Sequence, residues 1–515
     1  MSETSQTEDT HRRIVESMEL SDRKACYRAL QIRDRRFDGH FFVAVTSTGI
    51  YCRPICPART PKFENVRFYE TAAAAQEAGF RACLRCRPEI SPEVAGWRGT
   101  SNTVSRALKF IEEGFLDQEN TSVEVLADRL GVGERQLRRL FDQHVGASPL
   151  TVAQTRRILF AKQLIHETQL SMSDVAMASG FGSVRRFNDT FQKLYRRPPS
   201  ELRRRNKNRP VLSAQEAVTL HVPYQPPYDW NSFLAYLQSR AIAGVEEVRD
   251  GLYRRTVSYD GHDGIVEVTD NPSRHGLAVK LMLPSVRALS VIALRVRRMF
   301  DTYADVNSIR THLSGDPALA RLIAEHPGLR APGGWDGFEL AIRAILGQQI
   351  TVEAARQLAG KLVRLCSQPS TSLSNDGLTY IFPTAPQVAA ADLSALGMPQ
   401  SRKATLQLLA TTVAANSRFF ESPGSCEEVI ARLRTIPGIG DWTAQYIALR
   451  AFRQSDAFPA TDIGILRGAR SLNGTAMNAS ELLDRAEMWR PWRAYAAQHL
   501  WAASAGQCSQ IDPVQ

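Results

Sequence analysis

Four of the chain's eight cysteines stand as two close pairs, Cys52-x3-Cys56 and Cys83-x2-Cys86, with 26 residues between the pairs; Cys26, Cys366, Cys426 and Cys508 are scattered. Two such pairs can present four thiolates to one tetrahedral Zn2+, whose filled d shell accepts whatever angles the protein imposes. A segment of ~75 residues gains from a metal, because a core that small is marginal by itself. The expected cofactor is therefore a single Zn2+ held by Cys52, Cys56, Cys83 and Cys86, and a purely structural zinc knuckle is the plainest use of it. Disulfides would need an oxidising compartment. The polar N-terminus has no signal-peptide core, and no apolar run approaches the ~20 residues of a membrane helix. The expectation is a cytoplasmic protein with reduced thiols and no membrane partner.

At 515 residues, 43% hydrophobic and 23% charged, the chain is neither disordered nor fibrous and has room for three or four cores of ~100–200 residues each. Residues 1–210 hold 35 Lys and Arg against 25 Asp and Glu, whereas residues 211–515 hold 29 against 28. A basic front half is drawn to phosphate. In the near-neutral back half, nucleic-acid binding must rest on a local site. Breaker-rich or basic stretches mark seams at 87–98 and 203–210, with a softer one at 326–334. Short strands are expected within 40–70 and again at 252–259, 264–268 and 277–283, with helical spacing over 101–205, 286–300 and 335–505. The resulting fold class is multidomain α/β and all-α: a small α/β domain over 18–92, an all-α domain over 98–205, a small α+β domain over 219–325 and an all-α domain over 326–507.

The cysteine frame sits in Phe42-Val-Ala-Val-Thr-Ser-Thr-Gly-Ile-Tyr-Cys52-Arg-Pro-Ile-Cys56-Pro-Ala-Arg, then Glu64-Asn-Val-Arg-Phe-Tyr and Ala78-Gly-Phe-Arg-Ala-Cys83-Leu-Arg-Cys86-Arg-Pro. This resembles the N-terminal domain of Ada-type adaptive-response regulators. The resemblance implies that Cys52 is both a zinc ligand and a suicidal acceptor of methyl groups from DNA methylphosphotriesters, with Cys56, Cys83 and Cys86 as spectators. Four thiolates on Zn2+ carry a formal charge of −2, which methylation of one sulfur reduces to −1; beside a polyanion this tightens DNA binding, and the family uses it to switch on transcription. Arg53, Arg59, Arg81, Arg85 and Arg87 are candidate phosphate contacts, although an exposed arginine is more often simply solvated.

Two helix–turn–helix patterns come next, about 50 residues apart, Val125-Leu-Ala-Asp-Arg-Leu-Gly-Val-Gly-Glu-Arg-Gln-Leu-Arg-Arg-Leu-Phe and Met172-Ser-Asp-Val-Ala-Met-Ala-Ser-Gly-Phe-Gly-Ser-Val-Arg-Arg-Phe-Asn-Asp-Thr-Phe. Together they resemble the AraC-type DNA-binding domain, in which a helix, here 150–166, joins two such motifs. Recognition helices about one DNA turn apart can enter successive major grooves without dimerisation. Candidate readers are Glu134, Arg135, Gln136 and Arg138, then Ser183, Arg185, Arg186 and Asn188, each more often on phosphate or in solvent than on a base edge. The expected partners are double-stranded DNA, both alkylated and promoter, and RNA polymerase during activation; a monomer is expected.

Residues 219–505 resemble AlkA-type 3-methyladenine DNA glycosylases. The match runs through Tyr224-Gln-Pro-Pro-Tyr-Asp-Trp230, Ala341-Ile-Arg-Ala-Ile-Leu-Gly-Gln-Gln-Ile-Thr351, Phe382-Pro-Thr-Ala-Pro, Ile436-Pro-Gly-Ile-Gly-Asp-Trp-Thr-Ala-Gln-Tyr446 and Phe458-Pro-Ala-Thr-Asp462. In Pro437-Gly438-Ile439-Gly440, a helix-hairpin-helix turn, glycine lets backbone N–H groups approach a DNA phosphate. The resemblance makes Asp462 the carboxylate that stabilises the oxocarbenium-like sugar and positions water; an Asp there also suits a helix N-cap. Trp442, Tyr446 and Trp501 match the aromatic lining of the base pocket, where a cationic alkylpurine is held by cation–π stacking after flipping; core packing is the plain alternative for each ring. Trp442 stands where strand-cutting relatives carry a lysine, which implies a monofunctional enzyme. Gln349 replaces the apolar wedge of the best-known member.

The expected activities are therefore methyl acceptance with transcriptional activation in front and excision of alkylated bases behind. No Pro-Cys-His-Arg motif occurs, so repair of O6-alkylguanine is not expected. Two other readings start from the same residues. One is a methylation-sensing transcription factor whose inactive glycosylase fold serves as a DNA clamp. The other is a repair enzyme whose front half merely tethers it to DNA.

Overall fold

The computed structural model describes residues 23–91, 102–117, 121–203, 217–373, 377–421 and 424–509, so most of the 87–98 and 203–210 seams lies outside them. The chain forms two compact units, divided after Ser213. Among the described residues no helix is long and apolar enough to cross a membrane.

In the first unit, β1 (Phe42–Val45), β2 (Ile50–Cys52), β3 (Val66–Tyr69) and β4 (Arg81–Ala82) form a sheet in the order β3-β1-β2-β4. Side chains alternate across it, as the two-residue period of a strand requires. Phe41, Val43 and Val66 face the helix Arg23–Ile32 through Cys26, Ala29 and Leu30. Phe42, Ala44 and Tyr51 take the opposite face with Ala75, Phe80 and Ala82, and Leu159 packs against that cluster. Leu159 belongs to the long helix Pro149–Glu167, so the helical region closes the second face of the small sheet.

That long helix joins two helix–turn–helix pairs, Val123–Leu130 with Glu134–Val145 and Met172–Ala178 with Val184–Tyr195. The repeat holds side chain for side chain: Leu137, Phe141 and Val145 are buried in the first recognition helix, and Phe187, Phe191 and Tyr195 in the second. Each turn is made at a left-handed glycine, Gly131 at φ +73° and Gly180 at φ +81°.

The second unit opens with an antiparallel sheet of β5 (Val218–Pro223), β6 (Glu246–Arg249), β7 (Leu252–Tyr259), β8 (His262–Asn271) and β9 (Gly276–Met282), ordered β5-β9-β8-β7-β6. All-helical structure succeeds it, and the expected mixed α/β and all-α class is the one observed. At the soft seam 326–334 the chain is tightly tied to its neighbours. Arg330 is fully buried there and donates to the carbonyls of Asp301, Ala304, Gln225 and Pro227.

The helical part has two cores. One gathers Leu340, Ile345, Leu362, Leu406, Leu433 and Ile447. The other gathers Ile309, Leu319, Ile465, Leu482, Trp489 and Leu500. Trp501 is partly buried against both. That junction positions the second candidate site.

Candidate functional sites

The thiolate centre arises from strand pairing. β2 and β4 run parallel with Ile50 opposite Arg81 and Tyr51 opposite Ala82, so the next residues, Cys52 and Cys83, leave the same end of the sheet side by side. The Cys83 N–H bonds the Tyr51 carbonyl at 2.9 Å and the Cys56 N–H returns to the Arg53 carbonyl at 3.1 Å. All four sulfurs come within 4.8 Å of one another. Backbone N–H groups of Arg53 and Arg85 point at the sulfurs of Cys86 and Cys83, each at 3.3 Å. Four soft donors at this spacing, with amides supporting the charge on sulfur, fit one tetrahedral Zn2+. Cys52 is 9% exposed, against 6–7% for the other three.

The five front arginines divide into two groups. Arg53 is buried in an ion pair with Asp38 and donates to the Cys86 carbonyl at 3.2 Å. Arg87 pairs with Glu89 and Glu167. Both are internal struts that neutralise buried carboxylates brought in from Asp38, Glu89 and Glu167. Arg59, Arg81 and Arg85 instead line a cavity of about 400 Å³ beside Cys52.

Sequence reasoning missed a fully buried tie in this unit. Lys162, fully buried, donates to Glu89 at 2.6 Å and to the Cys83 carbonyl at 2.7 Å. Burial alone would raise the Glu89 carboxyl, but Lys162 and Arg87 hold it below the usual range. A lysine inside an amphipathic helical run gives no signal of such a partner.

On the recognition helices Arg135, Gln136 and Arg138, and likewise Arg185, Arg186 and Asn188, are exposed. Arg138 is paired with Glu134 at 2.6 Å, and Arg185 lies 4.0 Å from Asp189. Ser183 caps its helix by accepting from the Arg186 N–H at 3.2 Å, a structural task that leaves the arginines and Asn188 as the outward groups.

The carboxylate centre is assembled from three helices. Asp462 N-caps Ile463–Asn473, with Oδ1 accepting from the Ile465 N–H at 3.0 Å. The same carboxylate accepts from the indole N–H of Trp442 at Oδ2 and from that of Trp501 at Oδ1, both at 2.8 Å. Trp442 and Tyr446 stack at 5.4 Å with planes 16° apart, and Trp501 meets Tyr446 edge-on at 6.4 Å. The three aromatics and the acid singled out from sequence therefore share one site.

Two glycines make this approach possible. A Cβ on Gly464 would lie 3.0 Å from Trp501, and one on Gly468 would lie 1.9 Å from the Leu500 carbonyl. Behind the rings lies Arg450, buried, with its guanidinium 5.6 Å from the Tyr446 ring, 4.9 Å from Trp501 and 4.9 Å from Tyr236. Tyr236 comes from the helix Trp230–Gln238, and its hydroxyl lies 3.3 Å from that of Tyr446. Burial, reinforced by Tyr236, pushes the Tyr446 phenol up to about 12.

The hairpin Pro437-Gly438-Ile439-Gly440 joins helices Cys426–Arg434 and Asp441–Arg450. Gly438 has φ +89°, and a Cβ there would lie 2.0 Å from the Thr405 hydroxyl, so only glycine fits. A Cβ on Gly440 would meet nothing within 4 Å. Gly440 caps the next helix without a side chain, and the Ala444 N–H returns to its carbonyl at 3.0 Å, leaving the amides before Ala444 without a helical acceptor. Gln348, not singled out from sequence, bonds the Gly438 carbonyl at 3.0 Å and the Thr443 hydroxyl at 2.9 Å. It fixes the hairpin to the neighbouring loop, on which Gln349 is exposed at φ +57° beside exposed Ile350.

Four family models match the chain: the metal binding domain of Ada over 25–89, a helix-turn-helix domain over 126–205, the AlkA N-terminal domain over 219–336 and the HhH-GPD superfamily of base excision DNA repair proteins over 342–494. The probable bifunctional transcriptional activator/DNA repair enzyme AlkA of Mycobacterium tuberculosis is 40% identical over 494 residues, covering 96% of this chain and 98% of that protein. DNA-3-methyladenine glycosylase 2 of Escherichia coli is 35% identical over 288 residues, 55% of this chain and 97% of that protein. The bifunctional transcriptional activator/DNA repair enzyme AdaA of Bacillus subtilis is 30% identical over 199 residues, 38% of this chain and 89% of that protein.

Proposed function

The chain belongs to the family of bifunctional transcriptional activator/DNA repair enzymes, and on that premise we propose that it runs two chemistries at two separate centres. In front, Cys52 takes a methyl group from a DNA methylphosphotriester and the helix–turn–helix region activates transcription. Behind, Asp462 drives hydrolytic release of alkylated bases such as 3-methyladenine, leaving the strand uncut. The division follows the limits 18–92, 98–205, 219–325 and 326–507, in a cytoplasmic monomer that engages RNA polymerase when it activates.

In the front reaction the Cys52 sulfur attacks the methyl carbon. The S–C bond forms as the C–O bond breaks, and the electron pair leaves on oxygen, giving a DNA diester anion and a thioether that nothing regenerates. Held by Cys52, Cys56, Cys83 and Cys86, Zn2+ would supply deprotonated sulfur at neutral pH. Two of the other cysteines are poor acceptors: burial pushes the Cys366 thiol up to about 11 and the Cys426 thiol up to about 12, while the side chain of Cys508 lies outside those described. This supports the absence of O6-alkylguanine repair.

In the back reaction the hairpin 437–440 binds backbone phosphate, Gln349 fills the gap left by the flipped nucleotide, and the purine enters among Trp442, Tyr446 and Trp501. Asp462 cannot rotate, because both of its oxygens are held by N–H donors from three helical positions. Its charge is fixed where the sugar becomes cationic, which is the preorganised electrostatics that lowers such barriers. Trp442 leaves no amine to attack the sugar, so water completes the reaction.

The observation that carries the glycosylase reading is the Asp462 carboxylate gripped by two indole N–H groups at 2.8 Å. Release of free base from methylated duplex DNA tests it. We expect release by the wild type with the strand intact, and a loss of about 10³-fold in Asp462→Asn. A DNA clamp with no chemistry would release nothing in either form.

A further inference from the structure

The cavity beside Cys52 holds an unbalanced set of charges. Arg59, Arg81 and Arg85 line it from the zinc-binding region, and Arg197 reaches it from the second helix–turn–helix pair. None of these four guanidiniums has a carboxylate partner or a side-chain hydrogen bond among the described residues, whereas Arg53 and Arg87 nearby are fully paired. Even beside a zinc tetrathiolate of formal charge −2, four guanidiniums leave positive charge in excess, and an anion bound among them relieves their repulsion.

Arg197 is placed by the end of the second recognition helix. Helix Val184–Tyr195 stops at Arg196, which adopts φ +53° and returns its N–H to the Gln192 carbonyl at 2.9 Å. Tyr195 is buried beneath this turn. The left-handed residue redirects the chain, Pro198 and Pro199 stiffen the next turn, and Arg197 is left half-buried at the cavity wall.

We propose that Arg197 completes a composite site for a DNA backbone phosphate, so that the strand under repair is gripped by the zinc-binding region and the second helix–turn–helix pair together. This rests on the reading of Cys52 as methyl acceptor. A methylphosphotriester is neutral, but its phosphate gains a full negative charge as the S–C bond forms and the C–O bond breaks. Guanidiniums around the cavity stabilise that developing charge and then hold the product diester. The residue that holds it directly follows Arg196, the cap of a recognition helix, which gives the repair event a ligand on the DNA-reading half.

The test uses the full-length, zinc-loaded chain as wild type, Arg197→Ala and Arg197→Lys, with equal zinc content and equal thermal midpoint as the check on folding. Single-turnover methyl uptake is measured on a duplex with one methylphosphotriester, and salt dependence of binding on the same duplex without it. We expect Arg197→Ala to slow uptake by about tenfold or more and to lower the salt slope by about one, with Arg197→Lys restoring the slope and part of the rate. A lower slope with an unchanged rate overturns the composite site, placing Arg197 on a phosphate away from the acceptor. No change in either, with active wild type, overturns phosphate binding altogether. If wild type takes up no methyl, the Cys52 reading falls instead, and an unchanged slope then removes Arg197 as a phosphate ligand as well.

Discussion

The two centres are built in opposite ways. The thiolate centre draws all its ligands from one short stretch, turned in by a parallel strand pair and two tight knuckles, and is nearly closed to solvent. The carboxylate centre draws Trp442, Asp462 and Trp501 from three helices and lies half-buried where two cores meet. A methyl acceptor spent once, as proposed for Cys52, needs only to present one sulfur, and rigid local ligation suits that. A centre that turns over must admit a base and release it, and this one is assembled where elements of two cores meet rather than within one closed loop frame.

Lys162→Met leaves Glu89 buried beside Arg87 alone and removes the donor to the Cys83 carbonyl. We expect it to destabilise the first unit by about 3 kcal/mol, read as a lower urea midpoint, while base release stays normal. The open centre is more finely poised. Gly468→Ala forces a methyl into the Leu500 carbonyl; we expect a loss of about 2 kcal/mol in the second unit and a larger fall in base release than in DNA binding, since Trp501 is displaced from Asp462.

A pH dependence of similar size is confined to the surroundings of His499 in the second unit. Burial, with His326 nearby, pushes His499 down to about 4, whereas an unfolded chain binds that proton near 6.5. The unfolded state therefore takes up the proton first. Stability is full above about pH 6.5 and drains as the pH falls toward 4, by about 2 kcal/mol at pH 5. His499→Gln should flatten the dependence of the urea midpoint between pH 7 and pH 5.

The same contrast decides how much of the molecule is legible in its sequence. Metal ligands in close pairs are legible because ligation demands local spacing, and the strand β7 is legible to the residue. The edge strand β6, Glu-Glu-Val-Arg, is not, since its Glu246 is buried among the Ile242 N–H, Tyr253, Arg255 and Arg343, and the last of these comes from a helix 97 residues on. Trp442, Tyr446, Trp501 and Asp462 are legible through their resemblance to a family. Tyr236, Arg450 and Gln348 are not, because each acts through a contact between elements far apart in the chain. Gly464 and Gly468 carry a signal, a four-residue glycine spacing on a helix, whose meaning depends on the helix that packs against it. Arg53 and Arg197 show the limit most clearly: both are arginines near prolines, one an internal strut and the other open to a cavity, and only packing separates them.

The most direct test of two independent centres is a double dissociation in one preparation. Cys52→Ser and Asp462→Asn are each assayed for methyl uptake from a methylphosphotriester duplex and for release of 3-methyladenine. We expect Cys52→Ser to abolish uptake and leave base release at the wild-type rate, and Asp462→Asn to do the reverse. Loss of both activities from either substitution, in folded zinc-loaded protein, would contradict it.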